Sequence, residues 1–144
     1  MTKFTIEHVA LFFLPRPLPA GEVLLAQVCI RLRGDDGTPG AGWGLTPLCI
    51  LDSQDRTREL ILRHCCEELA EAWRGLSCDG HSALLEEQFR QQVLPAFGQK
   101  FARINGEALA QDDILVCLAS FTTALHEAYA SLWGLPDDWR PGAG

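Results

Sequence analysis

VLLAQVCIRLRGDDGTPGAGWGLT, residues 23–46, decides the fold of this 144-residue chain. Leu24, Ala26, Val28, Ile30 and Leu32 alternate with Leu25, Gln27, Cys29, Arg31 and Arg33. One face of that strand is wholly apolar and the other turns polar toward its end, the pattern of a half-buried strand. Asp35, Asp36 and Gly37 supply residues that tolerate positive φ or bond to their own backbone, as a tight reversal needs. A second strand then begins at about Ala41, with Gly40, Gly42 and Gly44 around Trp43 and Leu45. Glycine inside a strand marks a bulge or the close approach of another backbone.

Upstream, residues 4–14 alternate Phe4, Ile6, His8, Ala10 and Phe12 with Thr5, Glu7, Val9, Leu11 and Phe13, and predict a further strand. Pro15, Pro17 and Pro19 are expected to stop it, leaving residues 15–22 as a stiff exposed loop. Three strands in a row with short connections make an antiparallel meander.

After Pro47 the apolar period changes from two to between three and four. Asp52 or Ser53 is placed to cap a helix with Leu60, Ile61, Cys65, Leu69, Ala72 and Trp73 on one stripe, ending at Gly75. Ser82 caps a second helix with Leu84, Leu85, Phe89 and Val93 as its apolar residues, which Pro95 ends or kinks. Asp112 or Asp113 opens a third, with Leu115, Leu118, Phe121, Leu125, Ala128 and Leu132 on its stripe and Gly134 with Pro136 as its stop. Strands followed by helices predict an α+β domain, a three-stranded antiparallel meander and then about three helices. The domain is expected to occupy residues 1–136, with residues 137–144 a frayed tail.

Composition narrows the functional classes. A net charge of −7 argues against nucleic acid, where affinity comes from neutralising phosphates. No run of about 18 consecutive apolar residues suggests a membrane span, and the charged amino terminus does not resemble a signal peptide, so the expected compartment is the cytoplasm. Six cysteines lie on strand and helix faces without any CxxC spacing, and read as reduced core thiols rather than a zinc site. His64 and Cys65 are neighbours on a helix and diverge by about 100°, so they do not form a nucleophile and base. His81 reads as part of a helix start, and His126 with Glu127 as helix surface without the HExxH metal spacing.

The GDDG turn, the GWG strand and the closing helix ALHEAYASLWGLP, residues 124–136, resemble the amino-terminal capping domain of the enolase superfamily, in its mandelate racemase and muconate lactonizing enzyme branch. The resemblance covers residues 3–136. The chain departs from the family pattern at Leu45, where GWGE usually carries glutamate, at Glu127 for aspartate, and at Ala130 for glycine. In that family a lid of this kind closes on a (β/α)₇β barrel that holds magnesium and abstracts a proton α to a carboxylate. The resemblance therefore implies no catalytic residue, metal ligand or cofactor in this chain, with magnesium expected only in a full-length member. It implies two specificity loops, residues 14–22 and 47–54. Arg16 is placed to meet the carboxylate of a small substrate, and Leu18 and Leu48 to line an apolar wall. The implied partner is the missing barrel; the other expectation is self-association through the exposed face, with Trp133, Leu135 and Trp139 contributing an apolar patch. The alternative reading is a stand-alone α+β binding or self-assembly module without catalysis.

Overall fold

The structure, a computed structural model, describes residues 3–104 and 111–134. The fold is α+β. Strands β1 (Lys3–Leu18), β2 (Gly21–Gly34) and β3 (Pro39–Ile50) form the antiparallel meander, and a short β4 (Ser77–Asp79) adds to the outer side of β1. The sheet order is β3-β2-β1-β4. The helices are α1 (Thr57–Trp73), α2 (Ser82–Gln88), α3 (Leu94–Ile104) and α4 (Gln111–Leu132). They lie on one side of the sheet, α4 across β3 and β2 and α1 against β1.

The glycines of β3 explain how α4 comes so close. A Cβ on Gly44 would stand 2.7 Å from the backbone carbon of Ser120 and closer still to its carbonyl oxygen, and one on Gly40 would lie 2.6 Å from the carbonyl oxygen of Ala128. At Gly42 the same atom would collide with the backbone at Ala124 and Ala128. Alternate strand residues are about 6.8 Å apart and every fourth helix residue about 6 Å apart, so the two series stay in step. The close approach of another backbone, expected from the glycines, is the approach of α4. Along the same line the edge of β3 is capped: Ala41 N–H reaches Ser131 Oγ at 3.5 Å and Trp43 N–H reaches Glu127 Oε1 at 3.4 Å. Those side chains occupy donors that an exposed edge would otherwise offer to another strand.

The first two strands are longer than expected. β1 does not stop at Pro15; Pro15 pairs with Leu24, Arg16 with Val23, Pro17 with Glu22 and Leu18 with Gly21. The expected loop of residues 15–22 is instead the end of a hairpin. The reason is parity. Arg74 Nη2 donates to Val9 O at 2.9 Å from outside the sheet, so Val9 and the residues two, four, six and eight further along turn their backbone groups toward the open edge of β1. Pro15 and Pro17 fall on that parity, and a missing N–H there removes nothing from the ladder with β2.

Four helix expectations also need correction. Thr57 opens α1 and Arg56 stands at its N-cap, four residues beyond the expected Asp52. Its buried stripe uses Leu62, Cys66 and Ala70 together with Cys65, Leu69 and Trp73, whereas Leu60 is exposed. The stripe is turned because α1 packs against β1 on one flank and α4 on the other, so it buries a wider arc than one sheet would require. His81, not Ser82, is the N-cap of α2: its Nδ1 accepts Ala83 N–H at 3.2 Å. Leu84, expected on the apolar stripe, is exposed.

Pro95 acts one turn earlier than its own position. A π-turn at Phe89–Val93 separates α2 from α3, and Leu94 N–H bonds to Phe89 O, five residues back. Widening the turn there relieves the clash a proline ring makes with the preceding carbonyls. The turn begins at Phe89, which stacks on Trp73 with ring centroids 3.8 Å apart and planes 4° from parallel. That pair fixes the π-turn against the end of α1. Gly75 and Gly134, at φ of +80° and +67°, terminate α1 and α4 as their sequence positions suggested.

At 22 residues, α4 is long and apolar enough to cross a membrane by length and composition, which differs from the expectation drawn from uninterrupted apolar runs. Its most apolar window is 61% buried within the fold, so its apolar side is spent on the core.

Candidate functional site

The helices cover one face of the meander, and on the other face no described element packs over the middle of the strands. Sheet register assembles that open face in rows across β1, β2 and β3. His8, Arg31 and Ala41 form the first row; Ala10, Cys29 and Trp43 the second; Phe12, Gln27 and Leu45 the third. Leu14, Leu25 and Pro47 follow, and Arg16, Val23 and Ile50 close the series. The centre is apolar and in contact with solvent: Phe12, Trp43, Leu45 and Ile50 are 47%, 48%, 55% and 63% exposed. Single exposed apolar side chains are ordinary, but a contiguous group of this kind marks an interaction surface.

The three residues expected to determine specificity meet different fates. Arg16 lies exposed in the last row of the open face, beside Val23 and one strand from Ile50. Leu18 ends β1 and is 42% exposed. Leu48 is not on a wall facing a substrate. It is buried at 7% exposure, because it continues the alternate series of Gly40, Gly42, Gly44 and Thr46 that faces the helices; the bulge between Leu24 and Leu25 acts just after it and brings Ile50 to the open face. Arg16 and Ile50 thus share a row, and Leu48 points to the other side of the sheet. Trp133 packs partly buried against the core, while Leu135, Trp139 and the expected tail of residues 137–144 fall outside the described residues.

Charge on the open face is unevenly matched. Arg33 Nε and Nη2 engage the two oxygens of Glu7 at 2.5 and 3.0 Å, and that hydrogen bonding holds the Glu7 carboxyl below its ordinary value. Arg56, Arg58, Arg63, Arg74 and Arg90 also have carboxylate partners, mostly on the helices. Arg16 and Arg31 make no such ion pair with a described side chain, although Arg31 lies near enough to Glu7 to help hold its carboxyl down.

A polar cluster between α2 and α4 went unread in the sequence. Ser82 Oγ lies 2.9 Å from His126 Nδ1, and His126 Nε2 lies 2.8 Å from Glu86 Oε1. Serine, imidazole and carboxylate in hydrogen-bonded series have the connectivity of a hydrolase triad. Ser82, however, is fully buried at the first turn of α2, so no substrate carbonyl reaches its oxygen. The cluster ties α2 to α4 and leaves Glu86 shared with Arg90 at 3.4 Å. His81, beside it, packs on Tyr129 with ring centroids 4.8 Å apart, and desolvation followed by the nearby His126 pushes its pKa down. No sequence signal would have joined residues more than 40 positions apart.

Cys78 and Cys117 are buried as expected of core thiols, Cys29 and Cys49 are half-buried, and a shared neighbour joins the buried pair Cys65 and Cys66. Both hydrogen-bond Cys117, which raises their own pKa values, with burial adding to the effect, and lowers that of Cys117. Cys117 Sγ also lies 3.9 Å from Leu62 O. All six cysteines are free. A cleft of about 720 Å³ opens where α3 meets α4, lined by Arg90, Leu94, Pro95, Gly98, Gln111 and Ile114 among others. Its arginine is already paired with Glu86. Among the described residues no three His, Cys, Asp or Glu side chains gather in a way that would hold a metal ion.

Comparison with known proteins gives no matching family model, no matching curated protein and no matching solved structure.

Proposed function

We propose that this chain is a capping domain of the enolase-superfamily type, related to those of mandelate racemase and muconate lactonizing enzymes, that contributes substrate-specificity contacts to a catalytic barrel. The observation that carries the reading is the row of Arg16, Val23 and Ile50, a cation and two apolar side chains at the hairpin end of an antiparallel meander backed by helices. A cation with a planar fork beside apolar surface is suited to a small carboxylate. In this reading proton abstraction α to a carboxylate is the work of the barrel, which would supply the carboxylates that hold magnesium. Arg16 and Leu18 are the contacts assigned to specificity; the buried position of Leu48 leaves it a supporting role beneath the sheet end. The compartment that suits six free thiols is the cytoplasm.

The test begins with the coding DNA around this segment. A barrel sequence with acidic strand ends and a KxK strand, in the same or another frame, is the expected finding. Barrel and cap produced together should then exchange the α-proton of a carboxylic acid in deuterated water with added magnesium, and Arg16→Ala should slow that exchange at low substrate concentration. Neighbouring sequence unrelated to a barrel would favour the second reading, a stand-alone binding or self-assembly module. The exposed apolar face of Phe12, Trp43, Leu45 and Ile50 is the observation in favour of that reading.

A further inference from the structure

The capping-domain reading uses only the Arg16 end of the open face, and leaves the rows toward Arg31 without a role. The two ends of that face carry Arg31 in the first row and Arg16 in the last, which among the arginines with described side chains make no carboxylate ion pair, Arg31 acting only at longer range on Glu7, which is already paired with Arg33. The contrast is informative because carboxylates are in excess, 19 acidic side chains against 12 basic ones, and Arg33, Arg56, Arg58, Arg63, Arg74 and Arg90 each find one. Between the unpaired arginines lie Trp43, Phe12 and Leu45, all about half exposed.

We propose that this face docks an amphipathic helix of a partner protein, whose apolar stripe covers Phe12, Trp43 and Leu45 and whose two ends carry carboxylates for Arg16 and Arg31. Dimensions agree with that occupant. Alternate strand residues are spaced by roughly 6.8 Å, so the five rows run for about 27 Å, the length of about 18 helical residues. Three strands at about 4.8 Å spacing make a strip about 10 Å wide, the width of one helix. The opposite face of the same strands already receives a helix, α4, in this manner.

Charge also decides against two other occupants. A second copy placed face to face by a two-fold axis sets Arg16 against Arg16, or Arg16 against Arg31, according to the axis chosen. Either arrangement brings cations together over a desolvated face. An anionic lipid surface would meet the two arginines but repel a chain of net charge −7. The inference stands on the register and the ion pairs, and holds whether or not the partner is an enolase-type barrel.

The experiment uses the whole chain and two synthetic 18-residue helical peptides with one apolar stripe, one with glutamates at both ends and one with lysines. Anisotropy of labelled peptide is expected to give at least tenfold tighter binding of the glutamate-ended form. The double variant Arg16→Glu with Arg31→Glu should reverse the preference, and Leu45→Glu should lose both peptides. Circular dichroism and the urea midpoint should be unchanged in these variants, because none of the three side chains touches the buried core. Equal affinity for the two peptides, or binding of neither, overturns the proposal. Concentration-dependent dimerisation abolished by Leu45→Glu would assign the face to a second copy, and cosedimentation with phosphatidylserine-containing vesicles that Arg16→Glu abolishes would assign it to a membrane.

Discussion

The two faces of β3 differ more than any other two surfaces of the molecule. On one side Gly40, Gly42 and Gly44 carry no side chain, and the backbone of α4 occupies the space. On the other, Trp43 and Leu45 stand roughly half exposed with no described element over them. One short stretch of strand thus makes a backbone-close contact on one side and an open apolar surface on the other. Local composition accounts for the first: a helix approaches a strand this closely only where both lines of residues are small, and Ser120, Ala124 and Ala128 answer the glycines. The second contributes nothing to the isolated core, so its cost to solubility points to a contact outside it.

The largest effect should come from the covered face. Gly44→Ala forces a Cβ into the backbone of Ser120 and should destabilise the chain by about 3 kcal/mol or more in urea unfolding. A shift of less than about 1 kcal/mol would mean that α4 does not lie where it is described. Next in size, His126→Ala removes the partner shared by Ser82 and Glu86 and leaves the fully buried serine oxygen without its bond. A loss of about 1–3 kcal/mol is expected, with α2 opening first by hydrogen exchange.

Acidity probes the helical layer in another way. His81 is depressed below its ordinary 6.5 by desolvation and then by His126, and its neutral Nδ1 accepts the N–H of Ala83. Since the unfolded chain binds that proton more readily, stability is fully present above pH 6.5 and falls as pH drops through the lower folded value. Glu59, held below its ordinary 4.5 mainly by its hydrogen bond from Arg56 and also by Arg63, adds a second loss at more acid pH. Melting temperature measured against pH should therefore decline in two stages, and His81→Asn, which keeps a capping side chain, should remove the first. The smallest effect belongs to the open face: Leu45→Glu should change stability by less than about 0.5 kcal/mol. A large loss there would show that Leu45 already packs within the folded chain.

How much of this was legible depended on whether neighbours in sequence were also neighbours in space. The alternation from Leu24 to Leu32 and the stripe from Leu118 to Leu132 are local periodicities, and both elements lie where those patterns place them. The hairpin through Pro15 and Pro17 was hidden because a proline stops a strand only when its nitrogen faces a partner. The nitrogen here faces an edge that β4 covers only opposite Lys3, Phe4 and Thr5. Leu48 looked like loop lining because β3 was not expected to run on to Ile50; as a strand residue it continues the inward series of Gly44 and Thr46. Leu60 and Leu62 exchanged roles because α1 has two neighbours, and a hydrophobic stripe read from sequence assumes one. The cluster of Ser82, Glu86 and His126 needed the packing of α2 on α4 to exist at all.

By itself the sequence determined the order of strands and helices, the reversal at Asp35, Asp36 and Gly37, and the demand of three alternate glycines for a close neighbour. These follow from side-chain period and backbone freedom, which are properties of adjacent residues. Only the tertiary structure decided which backbone met the glycines, which arginines were left unpaired, and that Trp43 and Leu45 face outward as part of one continuous surface. Those outcomes depend on which face of the sheet the helices cover, a choice made by the burial of the whole core rather than by any single stretch of chain.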